Sequence, residues 1–170
     1  MIQRKQTVYL LVASVLMLLT FFAPIARFIG ASNSLVLYIY KVEGLVPGVE
    51  TGLSPYFIIP LLSISSLVVI LSLVTIFLYK NRNRQLLLVR FMLLMVMAFF
   101  GLYFFYYMDV LQNITGGFAT YDYGISIPGS AIEIPTIVFV IPLVTAIMLF
   151  LASRGIINDE KLVRSVDRLR

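Results

Sequence analysis

The chain has 170 residues and neither histidine nor cysteine, so two of the most versatile catalytic side chains are absent. Without imidazole there is no proton shuttle tuned to neutral pH and no haem or metal site built on ring nitrogen. Without thiols, disulfides, thiolate metal sites and thiol redox chemistry are excluded. What remains is carboxylate and hydroxyl. Glu43, Glu50, Asp109, Asp122 and Glu133 share two segments with the isolated cations Arg27 and Lys41, and their spacing matches no calcium loop. They read as solvated charge, and neither a metal nor a cofactor is expected. Hydroxyls inside the apolar stretches include Ser14 and Thr20, then Ser63, Ser65, Ser66, Ser72 and Thr75, and finally Thr145. Ser63 to Ser66, just after Pro60, invites comparison with a substrate groove. Packing is the better account, because small hydroxyl residues let helices approach closely and bond back to their own backbone. A serine or a carboxylate pair can serve an enzyme without histidine, but no spacing here supports one.

These residues are carried by four apolar runs, residues 7–28, 55–79, 86–108 and 134–152. Each is near the length of about 20 residues that crosses about 30 Å of hydrocarbon. With 61% hydrophobic and 12% charged residues, the balance is not that of a water-soluble fold. The expectation is a single all-α membrane domain over residues 1–170: a four-transmembrane-helix bundle with outer loops 29–54 and 109–133 and a cytoplasmic tail, 153–170. The first run follows Arg4 and Lys5 as a signal peptide would, but it outlasts an apolar core of about 7–15 residues and no small-x-small site follows. It reads as a retained helix.

Charge supplies the orientation. Setting aside Arg27 and Lys41, 10 of the 13 Lys and Arg residues precede the first run, join the second to the third, or follow the fourth, and Arg90 lies within the first turns of the third run. Cytoplasmic segments collect Lys and Arg, which puts both termini and the 80–85 turn in the cytoplasm. Arg4, Lys5, Lys80, Arg82 and Arg84 are expected to meet anionic lipid headgroups, which account for the net charge of +5 without nucleic acid. Arg27 and Arg90 sit near run ends, where snorkelling reaches the interface. No charge lies deeper, which argues against an ion-coupled pathway.

The outer loops have strand composition. Residues 35–43 are β-branched and aromatic, with Val36, Tyr38, Tyr40 and Val42 on one face of an extended segment. Residues 120–127, then Pro128-Gly129, then residues 131–134 suggest a hairpin. Together they predict a small extracytoplasmic β-sheet built from both loops. Pro55 and Pro135 suit helix starts, and Pro142 should kink the fourth helix. Phe100, Phe104 and Tyr107 share one helical face and could line a pocket with Tyr38 and Tyr40, although such aromatics more often serve as core.

After the fourth run, Arg154-Gly155 breaks the apolar pattern and Asn158 can cap a new helix with Asp159 and Glu160 in its first turn. Leu162, Val166 and Leu169 then recur at i, i+4 and i+7, with Lys161, Arg164, Arg168 and Arg170 around them. This predicts a short C-terminal amphipathic helix at the cytoplasmic surface. A headgroup anchor needs only an apolar face and positive charge. The acidic residues Asp159, Glu160 and Asp167 go beyond that, and they point to a protein partner that contacts Lys161, Leu162, Arg164, Val166, Asp167, Arg168 and Leu169.

The first eleven residues, from Met1-Ile2-Gln3-Arg4-Lys5 to Leu10-Leu11, and the last twelve, from Asp159-Glu160-Lys161-Leu162 to Arg168-Leu169-Arg170, resemble a bacterial family described as domain of unknown function 4293. The resemblance covers the whole layout, four helices with a basic loop after the second. It implies a small inner-membrane protein of Gram-negative bacteria and no particular activity. The functional expectation is therefore a non-enzymatic accessory or scaffold protein that docks a partner. The alternative is a carrier or flippase for a small lipophilic molecule, using the serine and aromatic faces of the second and third helices.

Overall fold

The computed structural model describes residues 5–30, 34–44, 53–79, 81–120, 124–126, 133–135 and 138–167, and its framework is four long helices packed side by side. They are α1 (Lys5–Leu19), α2 (Ile59–Phe77), α3 (Arg82–Leu102) and α5 (Ile141–Asp167). A tight turn, Pro55–Ile58, leads into α2, and another, Val138–Val140, leads into α5. α3 passes through a π-helical turn, Tyr103–Tyr107, into α4 (Met108–Thr115) without a break. α1 packs against α2 and α5, and α3 against the same two, so the four form a closed ring of neighbours. Among the described residues, three stretches are long and apolar enough to cross a membrane: Tyr56–Phe77, Arg82–Thr115 and Ile141–Lys161.

The inward faces follow helical spacing and carry most of the polar side chains. α1 buries Gln6, Leu10, Ala13, Ser14 and Met17, with Thr20 buried just past its end, and α2 buries Leu61, Ile64, Ser65, Val68, Ser72 and Thr75. α5 buries Thr145, Leu149, Ala152 and Ile156. The outward faces carry Leu67, Ile70, Leu73 and Phe77 on α2, and Leu87, Phe91, Leu94 and Met97 on α3. A helix in water shows the opposite arrangement. The buried hydroxyls of α2 and α5 sit inside by bonding to a carbonyl one turn back. Ser65 donates to Leu61 O at 2.8 Å, Ser72 to Val69 O at 2.8 Å, Thr75 to Leu71 O at 2.6 Å and Thr145 to Ile141 O at 3.0 Å.

The π turn keeps one stripe of α3 and α4 facing inward. Up to Phe99 the buried positions alternate by three and four: Gln85, Val89, Met92, Val96, Phe99. Beyond it they recur every four: Tyr103, Tyr107, Leu111, Thr115. Sixteen residues at about 3.6 per turn make about 4.4 turns, which would carry a four-residue row well off the face. A π turn takes up one extra residue, which removes most of that drift. The inward aromatic face is thus Phe99, Tyr103 and Tyr107. Phe100 and Phe104 instead stack on each other at 6.4 Å between ring centres, with Phe104 exposed.

The first apolar run is not one helix over residues 7–28. α1 stops at Leu19, closing with bonds from Phe21 N to Leu18 O and Phe22 N to Leu19 O, both 3.1 Å. Pro24, which disfavours helix in the residue before it, is followed by β1 (Ala26–Ile29). Arg27 therefore lies on a strand, not at a helix end. β1 pairs antiparallel with β2 (Ser34–Leu37), in the register Ala26 to Leu37 and Ile29 to Ser34. β2 pairs antiparallel with β3 (Val42–Gly44), and β4 (Phe118–Thr120) adds to the other side of β1, giving the order β3-β2-β1-β4. The single strand expected over residues 35–43 is in fact a hairpin that reverses where Tyr38 N bonds to Lys41 O at 2.8 Å. Its alternation fails because Leu35, Val36 and Leu37 are all buried, so both faces of β2 are covered. β5 (Gly124–Ser126) and β6 (Glu133–Pro135) form the expected hairpin strands, while Pro128-Gly129 lies outside the described residues.

Gly116 and Gly117 join the helical and sheet layers. Gly116 ends α4 in a left-handed conformation, φ 64°, with its N–H bonded to Gln112 O at 2.8 Å. A Cβ on Gly117 would come within 1.9 Å of Ile29 O, so only glycine lets β4 approach β1 this closely.

The second half of the chain departs from expectation in four further places. The third helix runs on to Thr115 instead of ending at residue 108, so residues 109–115 are helix rather than outer loop. Pro135 ends β6 rather than starting a helix. Pro142 is the second residue of α5, where its missing N–H breaks no helical bond, and it produces no mid-helix kink. α5 also runs unbroken through Gly155 and Asn158 to Asp167, so the separate tail helix is instead the end of a single 27-residue helix. Gly155 is a contact position: a Cβ there would stand 3.4 Å from Gln6 Cβ on α1.

Candidate functional site

At one end of the helices, the first turn of α1, the α2–α3 turn and the later part of α5 come together. Gln6 and Gln85 are buried there, 3% and 1% exposed. Gln85 Nε2 donates to Thr75 O at 3.2 Å, tying the start of α3 to the end of α2. Arg82 Nη1 donates to Asp159 O at 2.9 Å, across 77 residues of sequence, clasping the α2–α3 turn to α5. Arg84 and Lys161 are exposed at the same end, and Arg154 lies over the Phe150 ring at 5.6 Å. Of the other residues expected in this surface, Lys5 opens α1, and Leu162, Arg164, Val166 and Asp167 belong to the last turns of α5. Arg4, Lys80, Arg168 and Leu169 lie outside the described residues. The basic turn and the patterned tail are thus joined through Arg82. Sequence reasoning missed the two buried glutamines, because an amide beside a charged turn looks like ordinary surface.

At the opposite end, a cleft of about 330 Å³ opens between the β2–β3 turn and the approach to α2. Tyr40, Lys41 and Val42 form one wall, and Leu53, Ser54, Phe57 and Ile58 the other. Lys41 Nζ donates to Glu43 and lies over the Tyr38 and Tyr40 rings at 5.1 and 5.3 Å. The hydrogen bond to Glu43 holds the Lys41 ammonium above its ordinary pKa. Behind the cleft, Tyr107 donates to Phe57 O at 2.7 Å, and their rings meet edge to face at 4.7 Å. The expected aromatic pocket is therefore met in part. Tyr40 lines the cleft and Tyr107 supports it, but Phe100 and Phe104 do not line it. Leu53 and Ser54, expected in the outer loop, and Phe57, expected within the second helix, complete it.

A family model described as a domain of unknown function, DUF4293, matches residues 2–169. The chain belongs to that family. No curated protein and no solved structure matches it.

Among the described residues, no group of three or more acidic side chains is arranged to hold a metal ion. Ser63 and Ser66 donate to Pro60 O at 2.9 Å and Leu62 O at 2.8 Å, which engages them with their own helix. The clasped basic end, by contrast, fixes the direction in which α5 leaves the helical ring.

Proposed function

We propose that this DUF4293 protein is a multi-pass protein of the bacterial inner membrane, with both termini cytoplasmic and the β-sheet facing the periplasm. Its role is that of a non-enzymatic scaffold, which docks a protein partner on the C-terminal end of α5. One observation carries the reading: α5 is a single helix from Ile141 to Asp167, held at Asp159 by Arg82. At about 1.5 Å per residue it is about 40 Å long, more than the roughly 30 Å of hydrocarbon. Its last turns are a rigid continuation of a span and not a loose anchor. Such a lever holds Leu162 and Val166 at a defined height above the headgroups, where a partner helix can meet them at low ordering cost. Apolar residues outside and hydroxyls inside support the membrane setting.

The test is a photo-crosslinker placed at Leu162 or Val166 in intact cells. A single protein should be captured that also co-purifies in mild detergent, and the paired substitutions Glu160→Ala and Asp167→Ala should abolish its capture. Crosslinks to lipid alone, unchanged by that pair, would overturn the docking role.

The carrier reading draws on the cleft beside Tyr40 and Phe57, which has room for a small amphiphile. It needs a lipid-accessible path between α2 and α3, and the serines named for that path are bonded to their own helix.

A further inference from the structure

The outward face of α3 carries a shallow groove of about 480 Å³ lined by Asn83, Leu86, Leu87, Arg90, Phe91 and Leu94. These positions follow i, i+3, i+4, i+7, i+8 and i+11, so they form one continuous stripe. Nothing in the described chain covers it: Leu87 is 66% exposed, Phe91 47% and Leu94 68%. The polar members sit toward one end. Helical side chains lean toward the helix N-terminus, which carries the Arg90 guanidinium back toward the level of Asn83. No described side chain forms a hydrogen bond or ion pair with Arg90. Between residues 80 and 108 there is no acidic residue.

Length decides what fits. From Asn83 to Leu94 is eleven residues, about 16 Å at about 1.5 Å each. That is close to half of the roughly 30 Å hydrocarbon core, or one leaflet. A donor pair at the interface end and one leaflet's depth of apolar stripe match the two parts of an anionic phospholipid. We infer that this groove is a seat for one anionic phospholipid of the cytoplasmic leaflet, its phosphate held by Arg90 and Asn83 and an acyl chain lying along Leu87, Phe91 and Leu94. The guanidinium supplies two parallel donors to phosphate oxygens, a stronger match than a lysine ammonium. The inference rests on the membrane-spanning reading above.

Membranes from expressing cells are first washed with alkaline carbonate. Release of the chain would overturn the spanning reading and this inference together. If the chain is retained, the protein is purified in detergent and examined by native mass spectrometry with phosphatidylglycerol and phosphatidylcholine of identical chains. Phosphatidylglycerol should stay bound preferentially. Arg90→Gln should lower its retention about tenfold, the effect of about 1.4 kcal/mol. Arg90→Lys should keep part of the binding. Arg84→Gln, outside the groove, should change retention less than about threefold. Equal retention of the two lipids, or equal losses from Arg90→Gln and Arg84→Gln, would overturn the seat and leave the spanning reading intact.

Discussion

Gln85 shows how a single buried amide joins two helices. Its Nε2 faces Thr75 O, which also accepts from Leu78 N at 3.3 Å, so that carbonyl keeps a partner if the amide is removed. Gln85→Leu should therefore cost about 1 kcal/mol or less, because no buried group is left unpaired. Gln85→Glu sets a carboxylate oxygen against the Thr75 carbonyl oxygen and buries a carboxyl at a site 1% exposed. The expected loss is about 3 kcal/mol or more near neutral pH. Unfolding in mixed micelles checks both variants. The residue types behind this pair were visible in the sequence, but their partnership was not, because ten residues and a turn separate Thr75 from Gln85.

Two elements depend on one contact each. β4 reaches β1 only because Gly117 has no Cβ against Ile29 O. Gly117→Ala should force the strand outward and destabilise by about 1–3 kcal/mol, as overpacking does. Amides of residues 118–120 should then exchange hydrogen faster, while those of α2 should not. α5 depends on Arg82 in a similar way. Arg82→Gln should speed exchange at residues 156–163 without altering the amides near Thr145, and unchanged exchange would mean the clasp does not hold the lever. These elements also show where sequence reading stopped. The apolar runs made α2, α3 and most of α5 legible, since length and composition alone mark them. The end of α1 was not legible, because residues 21–28 are as apolar as a span and become turn and strand only through pairing with β2 and β4. The turn at Tyr38 to Lys41 has no glycine or proline, and it is closed by ring contacts and by Lys41 over both tyrosines. Gly155 looked like a helix breaker because a lone glycine is one by propensity. Its close packing against Gln6 is a tertiary reason that no local pattern carries.

Across the whole molecule, helix length sets a constraint that composition did not reveal. α1 has 15 residues, about 22 Å, against roughly 30 Å of hydrocarbon. In a bilayer its sheet-side end must be completed by the turn at residues 20–25, or the membrane must thin around it. That brings the sheet close to the headgroups, with the cleft beside Tyr40 and Phe57 opening near the same level. The natural absence of cysteine makes this testable, since any introduced thiol is the sole reporter. Tyr56→Cys and Lys161→Cys both alter exposed positions at opposite ends of the helical ring. In intact spheroplasts, a membrane-impermeant maleimide should label the residue-56 thiol at once and the residue-161 thiol only after permeabilisation. A thiol at Phe22, also exposed, should label at a rate between those of residue 56 and a lipid-facing position such as Ile70, because it lies where α1 ends short of the interface. Labelling at Phe22 as slow as at Ile70 would mean that the bilayer does not thin there and that the turn itself is immersed.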